Sequence, residues 1–374
     1  MKIAKIEVIH VKPRWSFVKV STDEGIVGWG EAIVEGRSRT VEMAIREMEG
    51  HLLGEDPRRI EHLWQAMYRR TFYRGGPILT SAISGIEQAL WDILGKYLHT
   101  PVSQLLGGAV RDRIRMYGHV GGEYPDSANQ SAKKAVEEGF TIVKTGIQNP
   151  ARMIETPGWI HREIERFQAI RDALGPDIDL AIDFHGRVGP ALAILLAKEL
   201  ERQQINPIFI EEPCLPENVD ALVTIARSTS IPIATGERLF TKWGFREVLE
   251  KQAAAIVQPD LAHCGGILEG KKIAAMAEVY YAGFAPHNPL GPINLAASLN
   301  LSATAPNFLA QEHVTLGVGY LKTPFVVKDG YIEVPQGPGL GIEIDEEAIA
   351  EKRYDGSWDT PHWSHEDDGS VADW

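Results

Sequence analysis

The chain has 374 residues, 44% apolar and 24% charged, the profile of an ordinary globular protein with room for two domains. A net charge of −13 argues against non-specific binding to nucleic acid or anionic membrane, and no apolar run is long enough to span a bilayer. The two cysteines, Cys214 and Cys264, give neither a disulfide framework nor a zinc spacing, and the N-terminus lacks a signal-peptide core, so a cytoplasmic protein with reduced thiols is expected.

Residues 1–12 alternate as a strand does. Phe17–Val20 and Ile26–Glu31, joined through Thr22-Asp23-Glu24-Gly25, read as a hairpin with Gly25 in its turn. Helical patterns cover Val41–Leu53 and Ile60–Tyr68, and Ala82–Leu98 is apolar enough for a largely buried helix. Residues 1–115 are therefore expected to form an α+β unit.

From Arg115 the texture changes to short apolar runs separated by helical patterns. The runs are Met116–Val120, Ile142–Ile147, Ile178–His185, Ile208–Glu212, Ile231–Glu237, Ala255–Asp260, Gly283–His287 and Phe308–Glu312. Helices are expected at Tyr124–Ala135, Ile164–Leu174, Ala191–Gln203, Val219–Ser228, Gly244–Lys251 and Ile267–Tyr281. This alternation is what a (β/α)8 barrel over residues 116–325 requires; a doubly wound sheet is the alternative, but no glycine fingerprint follows a first strand. In the remaining segment, 326–374, Tyr331–Val334 and Ile342–Ile344 read as strands around a Gly337–Gly341 loop. The tail carries Trp358, Trp363 and Trp374, which argue that it packs onto something.

The charged residues fall where a barrel places its chemistry, at the C-terminal ends of strands. Asp183 ends the third run, Glu211 the fourth and Glu237 the fifth. Three converging carboxylates repel one another unless a cation joins them, and an all-oxygen set selects magnesium or manganese over zinc or copper. Lys144 lies in the second run, Asp260 ends the sixth, His287 the seventh and Glu312 the eighth. Asp260 can orient His287, which makes His287 a candidate general base. His185, two residues past Asp183, is expected by period-two geometry to face the barrel interior opposite His287.

These residues resemble a known group. Asp183, Ile210-Glu211-Glu212-Pro213 and Gly236-Glu237-Arg238 are similar to the metal motif of the enolase superfamily, mandelate racemase branch. The closer likeness, running over nearly the whole chain, is to the D-galactonate dehydratase family. It includes Pro13-Arg14-Trp15, Gly28-Trp29-Gly30-Glu31, Tyr73-Arg74-Gly75-Gly76-Pro77, Asp183-Phe184-His185-Gly186-Arg187, Gln258-Pro259-Asp260-Leu261 and Ala285-Pro286-His287.

The resemblance implies a modified TIM-type barrel closed by a capping domain built from the N-terminal part and the C-terminal segment. It implies Mg2+ on Asp183, Glu211 and Glu237, with Mn2+ able to substitute. His287 would be the base, His185 the acid, and Glu312 would bond a substrate carboxylate oxygen. Arg14, Trp15, Tyr73 and Arg74 would cover the substrate, and the protein would be a homo-oligomer, from dimer to octamer. One departure stands out: the branch carries Lys-x-Lys on the second barrel strand, where this chain has Lys144-Thr145-Gly146. The segment Gln148–Trp159 also differs from the galactonate dehydratase pattern.

The expected activity is therefore removal of water from a small sugar acid. His287 would take the C2 proton, the metal and Lys144 would stabilise the charge that develops, and His185 would protonate the departing C3 hydroxyl. Lys144 and the metal would also explain how a protein of net charge −13 binds an acid. A racemase or epimerase using the same two histidines is the alternative. A catalytically silent barrel is opposed by the full set of converging charges.

Overall fold

The computed structural model describes residues 1–374. The strands Ile3–Val11, Trp15–Thr22 and Val27–Glu31 form an antiparallel sheet, the last two as the expected hairpin, with Gly25 at φ +83° in the turn. The long helix Gly76–Tyr97 lies directly on this sheet. Contact is that close because Gly28 and Gly30 present no side chain: a Cβ there would sit 2.1 Å from the Ala89 carbonyl oxygen and 1.8 Å from that of Gly85. The helix begins at Gly76 and not at Ala82, since Pro77 in its first turn fits the helical φ and forfeits no bonded N–H. Helices Ser38–Met48 and Ile60–Arg69 pack their apolar faces beside it.

The barrel strands are short. Gly118–His119, Ile142–Gly146, Asp179–Asp183, Phe209–Glu211, Ile233–Thr235, Ile256–Val257 and Gly283–Phe284 pair in parallel, each beside the next in sequence. The eighth run is not a continuous strand. It closes the ring through single bridges, Phe308 to Phe284 on one side and Gln311 to Met116 on the other. One residue from each of the eight runs, from Tyr117 through Phe209 to Ala310, joins a buried apolar plug inside the ring.

Helices Pro125–Glu137, Pro157–Leu174, Pro190–Arg202, Val219–Ala226, Thr241–Glu250, Ile267–Val279 and Pro292–Thr304 surround it. The last of these, wholly buried, has no counterpart among the sequence expectations; its small and apolar residues all round give no stripe to read. The segment Ile342–Ile344 is not a strand: only Ile344 bridges, to Leu321. No helix is long and apolar enough to cross a membrane.

Residues after the barrel return along it to the N-terminal unit. Tyr331–Glu333 pairs with Arg113–Arg115, Arg353 bridges Val11, and the tail ends in a hairpin of Trp363–Ser364 with Val371–Ala372.

Two buried acids of the N-terminal unit finish helices of the barrel. Glu31 accepts the N–H groups of Gly291 (2.7 Å) and Asn294 (3.1 Å), at the start of Pro292–Thr304. Glu87 accepts those of Ile267 (2.7 Å) and Leu268 (2.9 Å), at the start of Ile267–Val279. Each satisfies N–H groups that a helix start leaves unbonded. Burial pushes Glu31 up to about 8 and Glu87 up to about 7, although the backbone N–H groups pull both back.

Candidate active site

Parallel pairing sets Asp183 beside Glu211, and Glu237 follows the next strand through Gly236, whose φ of +144° turns the chain. Asp183, Glu211 and Glu237 each offer an oxygen, all within 4.8 Å of one another. Asp183 Oδ2 and Glu237 Oε2 are buried and accept no hydrogen bond. Burial, and then the charge of Asp183, pushes Glu211 up to about 8, with Lys144 opposing them. Three clustered carboxylates, two of them with an oxygen that accepts no hydrogen bond, fit a hard divalent cation, and no sulfur or nitrogen donor in the set favours a softer one.

Lys144 stands among these acids. Its Nζ lies 3.0 Å from Glu211, 3.3 Å from Asp183 and 2.7 Å from Glu312. Burial alone would lower its pKa, but Glu211, Glu312, Asp183 and Glu237 together hold it well above the usual lysine range. Burial would likewise raise Glu312, which Lys144 and His287 hold below the carboxylate range. Glu312 accepts from Lys144 and from the Asn288 N–H (2.9 Å). In this arrangement it can meet a substrate carboxylate oxygen only if it carries a proton.

His287 Nδ1 lies 2.9 Å from Asp260 Oδ2, and its Nε2 lies 3.2 Å from Glu237. Asp260 is fully buried; its other oxygen accepts from Ala262 N (2.7 Å) and Asn294 Nδ2 (3.0 Å), so the carboxylate cannot swing away. Burial disfavours imidazolium at His287, yet Glu237, Glu312 and Asp260 hold its pKa well above the usual range. His185 also reaches the cavity, but not by strand alternation. The strand ends at Asp183, and His185 sits in the following turn at φ +50°, its N–H donating to Asp183 Oδ1 (2.8 Å) and its Nε2 3.2 Å from Asp183 Oδ2. Gly146 lies against that imidazole: a Cβ there would be in ordinary contact, 3.4 Å from His185 Cε1. Where the branch carries its second lysine, this chain therefore has a residue without a side chain facing His185.

One cavity of about 870 Å³ contains Lys144, Asp183, His185, Glu237, His287 and Glu312 in its walls. Of the four cap residues expected over a substrate, only Arg14 lines it. Arg14 donates to Glu35 (2.8 Å) and to the Pro289 carbonyl (3.0 Å). Trp15 does not: it points into the cap core, 4% exposed, its ring 4.8 Å from that of Tyr320. Arg14 belongs to the turn before the strand, whereas Trp15 begins the strand Trp15–Thr22 and is packed into the cap core. Tyr73 and Arg74 do not line it either. They lie in the exposed connection between two cap helices, Tyr73 is 82% exposed, and Arg74 borders a separate cleft with Lys242 and Trp243.

Several lining residues have no assignment in the sequence reading. Arg187 donates to the Ile147 carbonyl (2.6 Å). Arg238 pairs with buried Glu212 and donates to the His185 carbonyl (2.9 Å). His263, whose Nδ1 lies 2.9 Å from Ser81 Oγ, ties the cap helix to the cavity wall. With Lys144 and Arg14, the two arginines put positive charge inside a strongly acidic protein. Arg187 and Arg238 sit in quoted motifs, and their place just after acid-bearing strand ends was the available signal.

Residues 6–107 match the family described as mandelate racemase / muconate lactonizing enzyme, N-terminal domain, and residues 127–348 match the enolase C-terminal domain-like family. The chain is 47% identical over 385 residues to a D-galactonate dehydratase of Cronobacter sakazakii and 46% identical to one of Variovorax paradoxus, with 100% of both chains covered in each case. Its fold is similar to that of a mandelate racemase/muconate lactonizing enzyme from a Sulfitobacter species, with TM-score 0.91 and 36% identity over 96% of this chain and 99% of that one. An enolase superfamily member from Salmonella Typhimurium superposes with TM-score 0.88 and 32% identity, over 94% and 98% of the two chains. Matching in both domains and over its full length, the chain belongs to the mandelate racemase/muconate lactonizing enzyme family of the enolase superfamily.

Proposed function

We propose that the protein is a sugar acid dehydratase that uses Mg2+, with Mn2+ able to substitute, and acts on D-galactonate or a close relative. The observation that carries this reading is the union, in one cavity, of a carboxylate triad, Lys144 and two histidines held by different partners. The full-length relatives named D-galactonate dehydratase support the substrate class.

A divalent cation held by Asp183, Glu211 and Glu237 would supply Lewis-acid stabilisation of the charge that grows on the substrate carboxylate, and would draw off the negative field that favours protonated His287. Lys144 stabilises the same charge from within the acid cluster, since its ammonium is held there by fixed carboxylates. His287 takes the C2 proton on Nε2, while Asp260 holds its Nδ1–H and steadies the imidazolium that results. His185 gives a proton to the C3 hydroxyl, which leaves as water. The enol that remains ketonises to a 2-keto-3-deoxy sugar acid.

Incubating the protein with a panel of aldonates and assaying 2-keto acids tests the reading. D-Galactonate or a close relative should be dehydrated with Mg2+, not after chelation, and again once Mn2+ is added. Full turnover in rigorously metal-free protein would sink the metal assignment. Exchange of the C2 proton with inversion and no loss of water would instead favour a racemase.

A further inference from the structure

The C-terminal stretch contributes no group to the chemistry above, yet Thr360, Trp363 and Trp374 line the same cavity. It is tied down in three places. Trp358 lies under the Arg14 guanidinium, 5.0 Å from ring centroid to carbon, and its ring is 6.3 Å from that of Trp374. Trp363 lies under the Arg187 guanidinium at 4.3 Å. Arg152, in the segment after the second barrel strand, pairs with Asp367 and Asp368 in the turn of the terminal hairpin. Exposed ion pairs hold a chain weakly, so the aromatic contacts are the main fastening.

The chemistry of the proposed substrate gives this stretch a task. A sugar acid has a carboxylate end, which Lys144 and the triad attract, and a far end of alternating C–H and hydroxyl groups that must extend away from them. Trp374 is 40% exposed and Trp363 half-buried, so both offer uncovered ring surface. Indole suits such a chain, with an apolar face for C–H groups and an N–H to donate to a hydroxyl. We propose that Trp363 and Trp374 form the wall that receives the far end of a sugar acid and sets the chain length accepted. This rests on the dehydratase reading for its substrate class.

The test is direct binding by titration calorimetry, with metal-loaded wild type, Trp374→Ala, Trp363→Ala and Trp374→Phe, each first checked for an unchanged melting temperature. The probes are D-galactonate, a pentonate, a heptonate and glycolate, a 2-hydroxy acid with no far end. Trp374→Ala should weaken D-galactonate about tenfold, near the upper end for one aromatic contact, and narrow its advantage over the other two aldonates. Trp374→Phe should recover most of the loss, and glycolate should bind all four proteins alike. In turnover the change should appear in KM and leave kcat nearly constant.

Unchanged D-galactonate affinity and ranking in both Ala variants would overturn the proposal. Equal losses for D-galactonate and glycolate would also overturn it, since the tryptophans would then be holding the site together and not reading the substrate. If wild type binds no sugar acid at all, the dehydratase reading fails and this proposal with it.

Discussion

The floor of the cavity and its mouth are held together in different ways. At the floor, Lys144, Asp183, Glu211, Asp260 and Glu312 are at most 7% exposed, and each charge has a fixed opposite charge or hydrogen bond beside it. Lys144, Asp183 and Glu211 lie in strands, so pairing dictates where their side chains point, and Asp260 and Glu312 follow closely behind strand pairing and are fixed by their hydrogen bonds. At the mouth, Arg14, Arg187 and the tail tryptophans come from three separate segments and meet through ring faces and guanidinium groups. Such a mouth can change without disturbing the floor, so on the proposed function chemistry and substrate choice would be separable.

The largest expected effects lie at the floor. Asp183→Asn should cost about a thousandfold or more in turnover and weaken Mn2+ binding in a direct titration, because a carboxylate that faces the cation and the transition state is lost. Mouth variants should leave Mn2+ binding unchanged; a loss there would show that the two ends are not separable. The histidines should divide the work. His287→Asn should abolish both dehydration and exchange of the C2 proton with D2O. His185→Asn should lower dehydration by about a hundredfold to ten-thousandfold, the range of a lost general acid, while some exchange survives. Exchange kept by His287→Asn and lost in His185→Asn would reverse their roles.

A middle-sized effect tests how the floor is supported. Glu31→Ala or Glu87→Ala should lower unfolding stability by about 1–3 kcal/mol at acid pH, each leaving buried helix N–H groups without an acceptor. Both native carboxyls bind their proton more tightly than in the unfolded chain, from the ordinary 4.5 up to about 8 for Glu31 and about 7 for Glu87. Their stabilisation is therefore full below about pH 4.5 and is lost as pH rises through 7 to 8. The wild-type advantage over Glu31→Ala in denaturant melts should shrink across that window. An advantage that grows with pH would show that Glu31 is ionised when folded.

The smallest effects belong to the cap loops. Arg14→Ala should change the ranking of aldonates, since Arg14 lines the cavity and supports Trp358. Arg74→Ala and Tyr73→Ala should leave kcat/KM within about twofold, as exposed residues outside the cavity usually do. A changed ranking in Arg74→Ala would mean that the connection after Arg70 folds over the cavity when substrate arrives.

These differences also explain what could be read from the sequence. The acids were legible because an apolar run that stops at an acid announces a strand and its end, which holds for Asp183 and Glu211, while at Asp260 the strand ends three residues earlier. Arg14 was separable from Trp15 only once the strand was seen to begin at Trp15, leaving Arg14 in the turn before it. The tail was not legible beyond its three tryptophans, since Trp363 and Trp374 meet the cavity through a short hairpin with no periodic signal. The helix Pro292–Thr304 was missed for want of an apolar stripe, whereas the early start at Pro157 carried a signal in its proline. Glu31 and Glu87 gave no hint that they reach across to another domain, because a buried acid looks like a surface one until its partner is seen.

The reach of Glu31 and Glu87 bears on how proteins of this build can be recombined. Each acid completes a barrel helix from outside the barrel, so the N-terminal unit is not a detachable module. A chimera that joins this barrel to another cap would inherit two unfinished helix starts unless the donor supplies a carboxylate at both places. Swapping whole caps is therefore restricted to donors that carry both acids, while changes in the loops and the terminal hairpin leave those joints intact. New specificities on this scaffold are best sought there, with the cap's sheet and its long helix left as they are.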